Sequence, residues 1–223
     1  LKKVKIILSS YTPFHMYGLA KYLDDNNLLK ILLTNYPYFK IKEYGINKSK
    51  VKSFISTGIL LNIFRKTPFY NKKISRKIFG QTLNIIFSKQ ISKYFQNFNK
   101  NDRFVFWGLS GYCLETLEKI KKKNCVTLVD FGSIHLEYQQ KLMSSYNSEF
   151  KINKTIVNPW MIQRQNEEFL KSDLSIVCSE FAKESFKSMG YDTKKIYVKH
   201  PNLDLSMFKI NKNINKLNNY SFL

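Results

Sequence analysis

Acidic residues are scarce in this sequence. Its 223 residues include 16 Asp and Glu against 37 Lys and Arg, a formal net charge of +21 at pH 7. A charge of this size indicates an anionic partner, for which nucleic acid, an anionic membrane surface and a phosphorylated substrate are candidates. An AT-rich coding sequence would also enrich lysine, but it would not explain why acids are so few.

Cysteine is scarce too, and its spacing excludes a recognisable zinc motif. Cys113, Cys125 and Cys178 are far apart and form no C-x-x-C pair. Because all three lie in apolar contexts, we expect buried, reduced thiols of a cytoplasmic protein and no metal cofactor.

Long apolar runs are also missing. The longest uncharged stretch, 53–64, is shorter than the roughly 18–20 residues of a membrane span. The apolar segment at 4–10 is too short for a secretory signal and has no cleavage region. The sequence contains no H-E-x-x-H, Walker, G-x-S-x-G or G-x-G-x-x-G motif, so it points to no standard metalloprotease, nucleotide-binding or hydrolase site.

What is present is an alternation of apolar strands with amphipathic helices. The pattern predicts strands at 4–10, 29–37, 102–108, 125–130, 174–179 and 195–202, with a short one at 51–55. It predicts helices at 15–25, 56–98, 111–123, 135–150, 158–173 and 180–190. This order predicts an α/β fold, a Rossmann-like open parallel sheet flanked by helices. Such sheets bind ligands at the carboxyl ends of their strands.

The first candidate site follows the strand at 125–130, where Gly132, Ser133 and His135 form a strand-to-helix turn. Backbone N–H groups at a helix start favour anions, and a histidine there can donate to a phosphate or a sugar hydroxyl. The alternative is a histidine that only caps the helix or satisfies a local hydrogen bond.

The second candidate is the loop after the first strand, with Thr12, Pro13 and His15. It occupies a position suited to ligand binding but lacks the glycines of a phosphate cradle. A plain β-α turn with an exposed His15 is the alternative.

The third candidate is a basic, partly aromatic segment at 65–77 with no acid. Its cations, which we call the basic patch, are Arg65, Lys66, Lys72, Lys73, Arg76 and Lys77. Interleaved with apolar side chains, they suit anionic lipid headgroups, and nucleic acid would also accept them. A solvated lysine face is the alternative.

Four segments resemble a bacterial subset of family 4 glycosyltransferases. The block 179–208 resembles the end of the first domain in that family: a strand ends in Ser, a helix and Gly follow, then a K-I-x-V strand and a turn with Asp. The segments 15–37, 129–143 and 167–173 resemble the family's opening unit, its Gly-Ser-x-His loop and its Glu-containing helix.

The resemblance implies the first half of a GT-B fold. It implies an acceptor-side domain at 1–210, with a linker and the first strand of a donor-binding domain at 211–223. It also implies a retaining enzyme that transfers a sugar from a nucleotide-sugar to a membrane-associated saccharide or lipid-linked acceptor, at the inner face of a bacterial membrane and without a metal.

By the same resemblance, His135 is the catalytic histidine that faces the transferring sugar and its phosphate. The expected donor- or acceptor-binding residues are Thr12, Pro13, His15, Gly132, Ser133 and Ser179.

Two other classes of protein stay open. One is a non-catalytic α/β module that binds a glycan or a partner. The other is a nucleic-acid-binding domain, which only the charge suggests and no aromatic–basic recognition motif supports.

Overall fold

The computed structural model describes residues 4–98, 103–121, 123–149 and 157–200. They build one sheet with helices on both faces. The strands are β1 (Lys5–Ser10), β2 (Leu29–Thr34), β3 (Val51–Ser53), β4 (Phe104–Leu109), β5 (Cys125–Phe131), β6 (Leu174–Val177) and β7 (Ile196–Val198). The helices are α1 (Phe14–Asp25), α2 (Ser56–Arg65), α3 (Lys73–Tyr94), α4 (Leu114–Ile120), α5 (Leu136–Glu149), α6 (Pro159–Lys171) and α7 (Glu180–Ser188).

The seven strands form a parallel sheet in the order β3-β2-β1-β4-β5-β6-β7. The predicted fold class is confirmed, including the short third strand. The order reverses at β1, because the chain builds outward through β2 and β3 and then returns to place β4 on the other side. Open sheets bind ligands at such a switch point, outside the carboxyl ends of the strands.

Alternate residues of the strands feed two cores, one on each face of the sheet. Ile7 packs into a core formed with α3, α4, α6 and α7, whereas the next residue, Leu8, packs into a core formed with α1. Side chains along a strand point alternately to opposite faces, and both faces of this sheet are covered. The apolar runs of the sequence therefore reflect burial on both sides.

The helical run predicted at 56–98 is broken. It forms α2 and α3, joined by a 3₁₀ turn at Pro68–Asn71. Thr67 adopts an extended conformation (φ −92°, ψ 152°), as the ring of a following proline requires. The basic patch therefore spans the end of α2, this turn and the start of α3.

Other predicted ends shift by a few residues. β2 stops at Thr34 rather than at Pro37, and α4 starts three residues later than predicted because Gly111 has a left-handed φ of 87°. Two helices begin at side-chain caps: Asn158 Oδ1 accepts from the N–H of Trp160, and Ser179 Oγ accepts from that of Ala182. The expected domain boundary at 210 and the segment 211–223 lie outside the described residues.

Candidate functional site

A cleft of about 220 Å³ opens at the carboxyl ends of β1, β4 and β5, at the switch point of the sheet. We call it the switch-point cleft. Its lining comes from the loops that follow these strands and from α6: Thr12, Phe14, Leu109, Ser110, Tyr112, Asp130, Phe131, Gly132, Ser133, Ile134 and Gln165. Both candidate loops of the sequence thus meet in one place. Thr12, Gly132 and Ser133 line the cleft, and their binding of a ligand stays a prediction.

A histidine–carboxylate pair adjoins the cleft: Asp130 lines it, and His15 contacts Asp130 without being part of the lining. Nε2 of His15 lies 3.0 Å from Oδ2 of Asp130, whose side chain is 4% exposed. The indole N–H of Trp107 donates to the same oxygen over 3.3 Å. A carboxylate held in this way fixes the orientation of an imidazole. His15 is half-buried rather than exposed, and Asp130, which the sequence analysis did not select, is its partner.

Phe14 forms the rim of the cleft in an unusual backbone conformation. Its φ is +31°, outside the ordinary regions for a residue with a Cβ, and its side chain is 61% exposed. The ring lies so close to Gly132 that a Cβ added to that glycine would meet Cε1 of Phe14 at 2.9 Å. Gly132 is therefore required for the close approach of the two loops, and Pro13 stands at the N-cap of α1, immediately before Phe14.

The loop after β4 is held by Glu168 of α6, which is fully buried. Its carboxylate accepts hydrogen bonds from the N–H of Gly111 (2.5 Å), the N–H of Cys113 (3.0 Å) and the hydroxyl of Ser110 (3.1 Å). Burial raises the pKa of Glu168, and these donors together with Arg164 oppose that rise. The loop is thus fixed by one side chain from a distant helix.

Arg164, one turn earlier on α6, completes this network. It is 3% exposed, donates to the carbonyl of Gly111 and makes a two-pronged contact with the carboxylate of Glu115 at 2.9 and 2.6 Å. Burial tends to raise the pKa of Glu115, but the guanidinium outweighs it and the pKa is lowered. Two buried charges of α6 therefore position the floor of the cleft.

His135 is held away from the cleft lining. It is 3% exposed, Nδ1 accepts from the N–H of Glu137, and Nε2 lies 3.0 Å from Oδ1 of Asn166. Its ring packs on Phe186 and Tyr191. This geometry favours the interpretation of His135 as a helix cap, with a neutral ring that donates from Nε2. Its catalytic role stays a prediction.

The remaining predicted positions are spread over the surface. Ser179 lies between β6 and α7, and its hydroxyl caps the start of α7. All six cations of the basic patch are exposed. Lys72 and Arg76 lie over the rings of Phe69 and Tyr70 at 5.7 and 5.6 Å.

No group of three or more His, Cys, Asp or Glu side chains in the described part of the chain could hold a metal ion. No helix within it is long and apolar enough to cross a membrane.

Comparison with known proteins rests on structure alone, since no known family and no curated protein matches the sequence. A UDP-N-acetylglucosamine 2-epimerase from Listeria monocytogenes superposes with a TM-score of 0.51 at 10% identity, covering 88% of this chain and 45% of the epimerase. A second UDP-N-acetylglucosamine 2-epimerase gives 0.51 at 9% identity, covering 88% of this chain and 48% of its own length. The S. aureus MnaA–UDP complex gives 0.50 at 13% identity, covering 87% and 43%.

These similarities establish the fold. The epimerases share the GT-B fold, and this chain fits the N-terminal domain of a GT-B-like protein. The chain spans less than half the length of each of these neighbours.

Proposed function

We propose that this chain is the acceptor-side domain of a retaining glycosyltransferase that takes a sugar from a nucleotide-sugar and places it on a membrane-associated saccharide or lipid-linked acceptor. The observation that carries the proposal is the switch-point cleft. It brings together the two loops that resemble the family's ligand loops, at the one place where an open parallel sheet favours a ligand. The structural neighbours include nucleotide-sugar enzymes, which supports the same class of substrate.

The cleft offers the chemistry that such a reaction needs. A leaving nucleoside diphosphate gains negative charge as the bond to the sugar breaks, so donors fixed nearby stabilise the transition state. His15, oriented by Asp130, would donate to an oxygen of the diphosphate or to a hydroxyl of the sugar. Ser133 and the backbone N–H groups at the start of α1 would add further donors.

Phe14 and Tyr112 give the cleft aromatic walls. Tyr112 stacks on Tyr11 with ring centroids 4.8 Å apart, and Phe14 forms the opposite rim over Gly132. An aromatic face packs well against the apolar face of a sugar or against a nucleobase. The proposed donor therefore has both polar and apolar contacts in a single cleft.

The basic patch supports an acceptor at an anionic membrane surface. Its cations are exposed and interleaved with exposed apolar side chains, among them Phe69 (57% exposed), Ile74 (73%) and Ile78 (57%). Cations beside apolar side chains bind anionic bilayers by charge attraction together with burial of apolar area. A peripheral association with the inner membrane follows from the proposal.

The test is the fate of a labelled sugar. The native protein that contains this chain is incubated with nucleotide-sugars labelled in the sugar and with membrane extract. If the protein is a retaining transferase, the label should appear in a lipid or polysaccharide product. The anomeric configuration of the labelled sugar in that product should match its configuration in the donor. Conversion of the free nucleotide-sugar into its epimer would instead give the protein the activity named for its structural neighbours. A donor that is bound but unchanged would favour a non-catalytic binding module.

A further inference from the structure

A second cavity opens on the same edge of the sheet, beside the switch-point cleft. It has a volume of about 470 Å³ and lies between the loops after β1 and β2 and the helix α2; we call it the α2 pocket. Its lining is Tyr11, Thr12, Asn35, Tyr36, Pro37, Phe39, Lys40, Ile55, Gly58, Ile59, Leu61, Asn62 and Arg65. Thr12 lines both cavities, so a ligand in the α2 pocket would lie next to the switch-point cleft.

The oxygen of a buried amide in the α2 pocket lacks a hydrogen-bond partner among the described residues. Asn35 is 6% exposed, and its Oδ1 has no hydrogen-bond partner among the described residues. The neighbouring Tyr11 hydroxyl interacts with the side chains of Asn35 and Thr57, and burial raises its pKa. Buried polar atoms are nearly always paired in folded proteins, and an amide oxygen can only accept. Asn35 Oδ1 is covered by its neighbours, so a ligand hydroxyl would become its donor once the side chain turns toward the pocket.

Positive charge lies at the same pocket. Arg65 and Lys40 line it, and neither forms an ion pair within the part of the chain that the structure describes. The sequence between Glu43 and Asp102 has no acid, although it contains twelve Lys and Arg residues. Charge complementarity therefore calls for an anion, and a guanidinium matches a carboxylate or a phosphate with two parallel hydrogen bonds.

The lining continues onto the surface as an apolar stripe. Phe39, Ile55 and Ile59 line the pocket and are 66%, 44% and 50% exposed, and Ile63 follows one turn further along α2 at 58%. The spacing of four residues places Ile55, Ile59 and Ile63 on one face of the helix. A stripe of this kind next to cations suits an alkyl chain rather than water.

We infer that the α2 pocket binds the head group of an anionic glycolipid. A sugar hydroxyl donates to Oδ1 of Asn35, a phosphate or carboxylate next to the sugar pairs with Arg65, and the alkyl chain lies along Ile55, Ile59 and Ile63. The inference rests on the proposed function only in treating this molecule as the acceptor, since the binding itself follows from the lining of the pocket.

A titration of the 223-residue chain tests this directly. The probes are octyl β-D-glucuronide and octyl glucoside 6-phosphate below their micelle concentrations, with octyl β-D-glucoside as the neutral probe and glucuronate as the probe without a chain. Isothermal titration should give saturable binding of the anionic alkyl probes, weaker binding of the neutral one and weaker binding of glucuronate. The two anionic probes distinguish a carboxylate from a phosphate as the preferred group.

Arg65→Gln and Lys89→Gln form a matched pair of variants, because both positions are exposed on helices but only Arg65 lines the pocket and Lys89 lies outside the basic patch. Arg65→Gln should weaken the anionic alkyl probes roughly tenfold and leave the neutral glucoside unchanged, whereas Lys89→Gln should change neither by more than about twofold. Asn35→Ala should weaken all hydroxyl-bearing probes, with circular dichroism and a melting temperature confirming that the variant is folded.

Two results would overturn the inference. Equal losses from Arg65→Gln and Lys89→Gln would show diffuse charge attraction rather than a site, and a lack of saturable binding by any probe would remove the pocket assignment. Saturable binding without sugar transfer by the native protein would leave the pocket standing and reject the proposed function. Sugar transfer by the native protein without saturable binding of the probes would leave the proposed function standing and reject the pocket assignment.

Discussion

At the scale of single residues, the two candidate histidines have opposite surroundings. His15 is half-buried and faces the carboxylate of Asp130. His135 is buried among Phe186, Tyr191 and Asn166, and an N–H donor occupies its Nδ1. The family resemblance singled out His135, whereas the structure pairs His15 with Asp130, a residue of the cleft lining.

Burial lowers the pKa of His135, and this has a consequence for stability. The unfolded chain, with an ordinary pKa of 6.5, binds the proton more readily than the folded one. The contribution of His135 to stability is therefore complete above about pH 6.5 and is lost as the pH falls through the lowered pKa. Urea unfolding at several pH values should show a shallower loss on acidification for His135→Gln than for wild type. Identical pH dependence in the two proteins would contradict the buried, neutral ring.

Gly132 gives a second prediction at this scale. Gly132→Ala places a Cβ against the ring of Phe14, so the rim of the cleft must move. We expect sugar transfer by the native protein to fall roughly tenfold, with stability changed by less than about 1.5 kcal/mol. Gly80→Ala is the matched control, since a Cβ there meets nothing within 4 Å and lies within α3. Equal rates for the two variants would reject the role of this rim.

At the scale of elements, helix α6 positions the loop after β4. Glu168 accepts three hydrogen bonds from that loop, and Arg164 links it to Glu115. Both side chains are almost wholly buried, so the network is intolerant of losing one member.

Glu168→Ala should therefore lower the free energy of unfolding by about 3 kcal/mol, because it leaves two N–H groups and a hydroxyl unpaired and a buried guanidinium less compensated. Glu167→Ala, one residue earlier and 37% exposed, should cost less than about 1 kcal/mol. Denaturant unfolding of both variants measures the two losses in the free energy of unfolding. Losses of similar size would mean that the network does not stabilise the fold.

The strands and the helix starts could be predicted from the sequence, whereas the contacts of the site could not. Apolar runs indicate the strands because each run fills two cores. Asn158 and Ser179 indicate helix starts because a cap is a local contact within a few residues. The break at Pro68 was also encoded locally, although the strong helical pattern around it obscured the signal. The pairing of His15 with Asp130 joins residues 115 positions apart, and the oxygen of Asn35, which has no partner in the described part of the chain, is buried by tertiary packing. No local pattern predicts such contacts.

At the scale of the whole molecule, the charge is unevenly placed. The basic patch and the α2 pocket share Arg65 at the end of α2, so the cationic surface adjoins the cavity beside the switch-point cleft. A membrane bound at the patch would lie close to both cavities.

Binding to vesicles tests this arrangement. The triple variant Lys72→Gln, Lys73→Gln, Lys77→Gln should bind vesicles with about 30% anionic lipid roughly a hundredfold more weakly than wild type, since each cation near such a surface contributes about 1 kcal/mol. The control triple Lys119→Gln, Lys121→Gln, Lys194→Gln removes as many exposed charges elsewhere on the described surface. Equal losses in a flotation assay would show that net charge, rather than the patch, drives the binding.

The most direct test of the central claim is sugar transfer by the native protein with Asp130→Asn, compared with wild type and with His200→Asn, which replaces an exposed histidine outside the cleft. We expect wild type and His200→Asn to transfer label from one nucleotide-sugar at equal rates. Asp130→Asn, with an unchanged melting temperature, should be roughly a hundredfold slower, because the imidazole of His15 loses its charged partner. An Asp130→Asn protein as active as wild type would contradict the assignment of the switch-point cleft as the site of transfer.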